Sequence, residues 1–366
     1  MTLAELPVKA ATRPIKVVVV DDSLLVRSML RAALEAEGDI QVAGAAKEPY
    51  EARDIIKATD PDVITLDVEM PGMNGLQFLE KIMTLRPTPV VMVSSLTSEG
   101  AEVTLAALEG GAVDFIAKPA GGPRAAEFGE MVRQKVRAAS RAQVRAQVSA
   151  QVRAQVRAKA PARRAGAISK RLGSGPELIA IGASTGGVGA IGDIVNRLPH
   201  GLPPVTAVVH MPERYTARFA ARLAQQTGHD VAEATDGERL EAGMFRIAPG
   251  SHHMQVERTG GALVTRLQDG PAISGHRPSV DVCFASVARS VGNRALGVIL
   301  TGMGRDGAKG MLEMRNAGAM CLGEAESSCV VYGMPKAANE IGAVNEEHDL
   351  ERMPGRISEL AAGGPR

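Results

Sequence analysis

The chain has 366 residues, 45% of them hydrophobic, and a formal net charge of +1, which gives room for two domains with separate cores and excludes a general polyanion binder. Aromatic residues make up only 2%, with no Trp, so the cores must be aliphatic, and the stacking platforms that single-stranded nucleic acid needs are missing. No apolar run has membrane-spanning length, and residues 1–13 lack the apolar block of a signal peptide.

Residues 14–130 alternate strand and helix patterns. Ile15 to Val20 is a continuous β-branched run, as expected of a strand buried on both faces. Val26, Met29, Leu30, Ala33 and Leu34 then fall on one helical face. Further strands are predicted at Ile40–Ala45, Val63–Leu66, Val90–Val93 and Val113–Ala117. Five strands with helices between them imply a doubly wound five-stranded parallel sheet, whose chemistry sits at the strand carboxyl ends.

Those ends carry Asp21 and Asp22, then Asp67, Ser94 and Lys118. Carboxylates converging on one sheet edge repel one another unless a cation joins them, and oxygen ligands with room for water suit Mg²⁺. A lysine and a hydroxyl beside them suit a phosphoryl group. Solvent-facing polar residues are the plain alternative for any one position, less so for five at matching strand ends. The acidic pair, Asp67 followed by Met70-Pro71-Gly72, the Ser94 position and Lys118-Pro119 resemble a response-regulator receiver domain. The resemblance implies that Asp67 accepts a phosphoryl group from a chemotaxis histidine kinase. It implies Mg²⁺ held by Asp22, Asp67 and the carbonyl of Glu69, with Asp21 as a further member of the acidic pocket. Lys118 would pair with the phosphate and Ser94 would supply the switch hydroxyl. Phe115 stands at the aromatic switch position, where a plain core Phe fits equally well.

Residues 131–176 contain no Asp or Glu and many Arg and Lys. An Arg-Ala-Gln-Val repeat runs from Arg141 to Val156 and places its valines in one slowly drifting helical stripe, with Pro161 as a stop. The segment reads as a solvated tether, or as a docking segment for an acidic partner.

Residues 177–363 form a second α/β alternation. Strands are predicted at Leu178–Gly182, Val205–Val209, Val231–Thr235, Phe245–Ala248 and Leu296–Leu300, and a hairpin at Met254–Arg258 and Leu263–Leu267, which suggests a mixed sheet. Gly182-Ala183-Ser184-Thr185-Gly186 links the first strand to a helix, exposing a hydroxyl near unpaired helix N–H groups. The pentapeptide alone fits a nucleophile and a phosphate-binding turn equally. Of seven histidines, His210 directly follows Val205–Val209, at the edge that carries Ser184; His276 lies in a loop able to line a cleft. Asp306 follows Leu296–Leu300 through another glycine turn. Three strand-end loops can thus bring nucleophile, base and orienting carboxylate together. Their chain order, Ser, His, Asp, excludes an α/β-hydrolase and points to the same geometry on another sheet. Cys283, Cys321 and Cys329 show no metal-ligand spacing and read as reduced thiols of a cytoplasmic protein.

The motifs Gly182 to Gly187, Val209-His210-Met211-Pro212, Ala248-Pro249-Gly250, His276 to Asp281 and Leu300 to Gly307 resemble the chemotaxis protein-glutamate methylesterase family, CheB. The resemblance implies methyl-ester hydrolysis on chemoreceptor glutamates, with Ser184, His210 and Asp306 as triad and backbone N–H groups of Thr185 and Met303 as oxyanion donors. It further implies glutamine deamidation, no cofactor for the esterase, a monomer, and receptors and kinase as partners, without nucleic acid or membrane insertion. The competing reading is a non-catalytic regulator that binds a partner or nucleotide through its glycine loops.

Overall fold

The computed structural model describes residues 13–70, 73–94, 98–118, 125–142 and 175–365. Pro71, Gly72, Pro119, most of the Arg-Ala-Gln-Val repeat and Pro161 lie outside the described residues.

The first domain is a parallel sheet of β1 (Ile15–Val20), β2 (Ile40–Ala46), β3 (Val63–Asp67), β4 (Val90–Ser94) and β5 (Asp114–Ala117), in the order β2-β1-β3-β4-β5. The side-chain period of two sorts these strands cleanly. Val18, Val20, Ile64, Leu66, Val90 and Met92 enter one apolar cluster, while Val17, Val19, Val63, Val91 and Val93 enter another. Helices α1 (Leu24–Glu35), α2 (Pro49–Thr59), α3 (Gly75–Leu85), α4 (Ser98–Glu109) and α5 (Ala125–Ala139) link and cover the strands. Ser23 caps α1 and Asn74 caps α3 through their side-chain oxygens. The helix α5 runs past residue 130 to Ala139, because nothing in its composition marks a stop.

The second domain has a seven-stranded sheet in the order β14-β13-β12-β6-β7-β9-β8. Its strands are β6 (Leu178–Ala183), β7 (Val205–Val209), β8 (Asp230–Glu233), β9 (Met244–Ile247), β12 (Ala295–Ile299), β13 (Met320–Glu324) and β14 (Glu346–His348), and their pairings are parallel. The antiparallel hairpin, β10 (His253–Thr259) with β11 (Ala262–Gln268), stands beside it as a separate two-stranded sheet. The helices are α6 (Gly187–Val195), α7 (Glu213–Thr227), α8 (Val280–Ser290), α9 (Ala308–Asn316), α10 (Met334–Glu340) and α11 (Met353–Ala361). The chain leaves β6 toward β7 on one side and later returns through β12 toward β13 on the other. That reversal is the topological switch point, where open α/β sheets place their sites.

One apolar cluster continues from the first domain into the second, joining Leu105, Leu108 and Phe115 to Val188, Met211 and Tyr215. Among the described residues no helix is long and apolar enough to cross a membrane. The three cysteines are free and buried.

Candidate active site

Ser184, His210 and Asp306 follow β6, β7 and β12, and these strands are neighbours in the order β12-β6-β7. Backbone bonds stitch the loops together. Ser184 N–H donates to the Thr301 carbonyl at 3.0 Å, and His210 N–H to the Ala183 carbonyl at 3.3 Å. Two glycines make the approach feasible. Gly186 adopts φ +78°, and at Gly302 an added Cβ would come within 2.8 Å of Ser184 Cβ.

The three side chains meet. His210 Nδ1 lies 3.0 Å from Ser184 Oγ, and Nε2 lies 2.8 Å from Asp306 Oδ2. Nδ1 therefore faces the hydroxyl, and Nε2–H donates to the carboxylate. Asp306 is buried, and four more donors hold it: Ser279 Oγ at 2.8 Å, Val280 N at 2.7 Å, Asp281 N at 3.0 Å and Gly307 N at 3.1 Å. Val280 and Asp281 open α8, so the carboxylate sits on a helix N-terminus, whose partial positive charge favours an anion. Burial pushes the Asp306 pKa up, but the hydrogen bond and charge of His210 and the backbone donors outweigh it and hold it at about 2.

His276 stacks on His210 with ring centroids 3.7 Å apart and planes 7° from parallel. Burial first, then the neighbouring imidazole, pushes its pKa down to about 4, so it stays neutral beside the base. The sequence placed His276 near the cleft but gave no sign of the stack. Ser279 stood in the His276 to Asp281 motif without a role of its own; the signal was its place as the N-cap of α8, where it also donates to Asp306. Thr301 is a second omission. Its hydroxyl donates to the Thr185 carbonyl at 3.0 Å, while its N–H donates to the buried Glu324 carboxylate at 2.8 Å. The backbone N–H groups of Thr185 and Met303 donate to no acceptor among the described residues.

The first domain lies on this site. A cavity of about 20 Å³ is lined by Ser184, Gly186 and His210 from one side and Leu108, Val113, Asp114 and Phe115 from the other. That is space for about one water molecule. Gly186 N–H donates to the Val113 carbonyl at 3.1 Å, and Thr185 Oγ1 donates to Asp114 Oδ2 at 2.6 Å. Asp114 is fixed in turn by Lys135 Nζ at 2.6 Å. Farther out, Arg222 makes a bidentate pair with Glu109, 2.7 Å on each arm.

At the other sheet, ligand oxygens of Asp21, Asp22 and Asp67 lie within 4.8 Å of one another. Asp21 and Asp67 are buried, and Lys118 Nζ bridges them at 2.9 and 2.8 Å. Burial pushes the Asp67 pKa up to about 6, against the pull of Lys118 and with the Asp21 charge adding to the rise. Burial alone would lower the Lys118 pKa, but its two carboxylates hold it up. A buried acidic pocket with one lysine fits a hard divalent cation, whose charge relieves that repulsion. Glu69 N–H donates to Asp67 Oδ1 at 3.3 Å, which places the Glu69 backbone at the same pocket. Ser94 is buried, with its Oγ 2.8 Å from Thr104 Oγ1.

Fold and sites together define a receiver joined to an α/β domain with a hydrolase-type relay. The comparisons agree with that class. Residues 17–127 match the response regulator receiver domain, and residues 179–357 match the CheB methylesterase family. The chain is 52% identical over 349 residues to a Caulobacter vibrioides protein named protein-glutamate methylesterase/protein-glutamine glutaminase 1, covering 95% of this chain and 98% of the relative. A protein of that activity from Chromohalobacter salexigens is 48% identical over 96% of this chain and 98% of its own. The crystal structure of the Thermotoga maritima CheB methylesterase catalytic domain is 34% identical, with TM-score 0.49, covering 50% of this chain and 98% of that one. The chain belongs to the CheB methylesterase family.

Proposed function

We propose that this chain is a protein-glutamate methylesterase and protein-glutamine deamidase of chemosensory adaptation, held closed by its own receiver and released by phosphorylation. The observation that carries the catalytic reading is the continuous Ser184–His210–Asp306 relay on the loops of three neighbouring strands. Ser184 Oγ attacks the ester carbonyl of a glutamate side chain, and His210 Nδ1 takes its proton. Asp306 holds Nε2–H and balances the imidazolium. The N–H groups of Thr185 and Met303 receive the oxyanion. The tetrahedral intermediate collapses, His210 returns the proton to the departing methoxide, and methanol leaves. Water then cleaves the acyl-enzyme to give glutamate. With glutamine the leaving group is ammonia and the steps are otherwise the same.

The substrates are methylated chemoreceptors, and the phosphodonor is the chemotaxis histidine kinase that serves them. Asp67 accepts the phosphoryl group, Lys118 pairs with it and Ser94 hydrogen-bonds it. Asp22, Asp67 and the Glu69 carbonyl would hold Mg²⁺, with Asp21 beside them; when bound it supplies positive charge to the phosphoryl oxygens. The narrow cavity between Ser184 and the receiver supports the resting inhibition, since about 20 Å³ is too little for an esterified side chain. The proposed working form is a monomer in the cytoplasm.

The test is methanol release from membranes carrying methylated receptors. Ser184→Ala should lower turnover by about a million-fold, the typical cost of a lost triad nucleophile, while the protein stays folded. Near wild-type release from the variant would reject Ser184 as nucleophile.

A further inference from the structure

Asp306 is held by Ser279, Val280 and Asp281, so the carboxylate is only as well placed as the start of α8. That start is reached through a loop that is exposed from Pro271 to Gly275. A buried imidazole closes the neck of this loop. His253, the first residue of β10, is 4% exposed and stands outside the relay. Its Nδ1 accepts the Ser279 N–H at 3.2 Å, and its Nε2 lies 3.0 Å from the Pro271 carbonyl. A backbone N–H only donates and a carbonyl only accepts. The two contacts therefore fix one neutral tautomer, with Nδ1 bare and Nε2 protonated. The hairpin extends the grip along the helix. Val256 N–H donates to Ser286 Oγ at 2.8 Å, and Ser290 Oγ donates to the Val256 carbonyl at 2.6 Å. Within the loop, Ile273 and His276 exchange two backbone bonds of 2.9 Å, and the His276 ring lies on His210.

We infer that His253 is a positioning residue for the hydrolysis: it ties both ends of the loop to the hairpin and so keeps Asp306, and through it His210, in line with Ser184. The inference rests on the relay proposed above. Ser279 is fully buried. Without the imidazole its N–H loses its acceptor, and an unpaired buried donor is costly. A shift of the loop that turns this N–H toward water relieves the cost. The same shift carries Ser279 Oγ and the Val280 and Asp281 N–H groups away from Asp306. The carboxylate then holds His210 less firmly, and the proton transfer from Ser184 slows. His253 acts on Ser184 only through Ser279, Asp306 and His210, so the loss falls on the chemical step and not on substrate binding.

His253→Asn and His253→Gln separate the two contacts. An Asn oxygen takes the place of Nδ1, whereas a Gln amide NH₂ takes the place of Nε2–H. The full chain is assayed for methanol release from membranes carrying methylated receptors, with thermal unfolding as the check on folding. His253→Gln should lower kcat about tenfold and leave KM within about twofold of wild type, as a small misplacement remote from the chemistry does. His253→Asn keeps the acceptor for Ser279 and should lose about threefold or less. Ring ¹⁵N spectra of the wild-type chain test the tautomer without any variant, the His253 signals being assigned by the contact of Cδ2–H with Gly270. In mildly alkaline buffer Nε2 should carry the proton and Nδ1 none. A wild-type kcat for His253→Gln, equal losses in the two variants, or a ring protonated at Nδ1 would overturn the inference. Wild-type release by Ser184→Ala would instead reject the relay beneath it.

Discussion

Asp114→Ala isolates the contact that holds the receiver on the active site. Asp114 Oδ2 accepts from Thr185 Oγ1 across the interface, whereas Oδ1 accepts from Lys135 and from the Phe115 N–H within the receiver. The internal bonds are lost equally from closed and open states, so only the Thr185 bond changes their balance. A hydrogen bond to a charged group contributes about 1.5–3 kcal/mol, which is roughly a 10- to 150-fold change in the closed–open ratio. The Gly186–Val113 bond and the Arg222–Glu109 pair persist, so the domains should loosen without separating. We expect the unphosphorylated variant to release methanol at least tenfold faster than wild type, and stimulation by acetyl phosphate to shrink by a matching factor. Phosphorylation of the variant by acetyl phosphate serves as the check that the receiver is folded. An unchanged resting rate in a phosphorylatable variant would refute the reasoning, since the contact would then be incidental to closure.

Two further outcomes follow from the pockets. Asp306→Asn should abolish hydrolysis and lower stability. A carboxyl whose pKa falls to about 2 on folding contributes about 2.5 kcal/mol at neutral pH. Because the folded value lies below the unfolded one, that contribution is present above about pH 4 and fades as pH drops toward 2, so denaturant titrations of variant and wild type should converge in acid. Asp67→Asn removes the phosphoryl acceptor and one Mg²⁺ ligand charge; the resting esterase rate should persist and acetyl phosphate should leave no label or stimulation, as intact mass and methanol release will report.

Much of this was legible in the sequence because buried parallel strands are continuous apolar runs. Leu178 to Ala183 and Val205 to Val209 announce themselves, and the polar residue that ends each run marks the working edge. Two strands were not legible. Met320–Glu324 carries a glycine and an acid, and Glu346–His348 is a three-residue polar edge. The first mattered, since its last residue, Glu324, is buried beneath Thr301. The helix α5 runs past residue 130 to Ala139, where the Arg, Ala and Val content gives no local mark of its end. The grip of Asp114 on Thr185, the stack of His276 on His210 and the contact of the Tyr215 ring with Phe115 are contacts between distant segments. Local periodicity holds no trace of them.

The space left over Ser184 has a kinetic meaning. With room for about one water between Ser184 and the receiver, the closed form leaves little space for an ester beside the nucleophile. Whatever a resting population releases comes from the fraction momentarily open, each working at the full rate of the free site. Under the proposed control, phosphorylation would alter how many molecules are at work and leave each one's quality unchanged. Well below saturation, methanol release should therefore follow the open fraction. An array controlled by such an enzyme is adjusted by head-count.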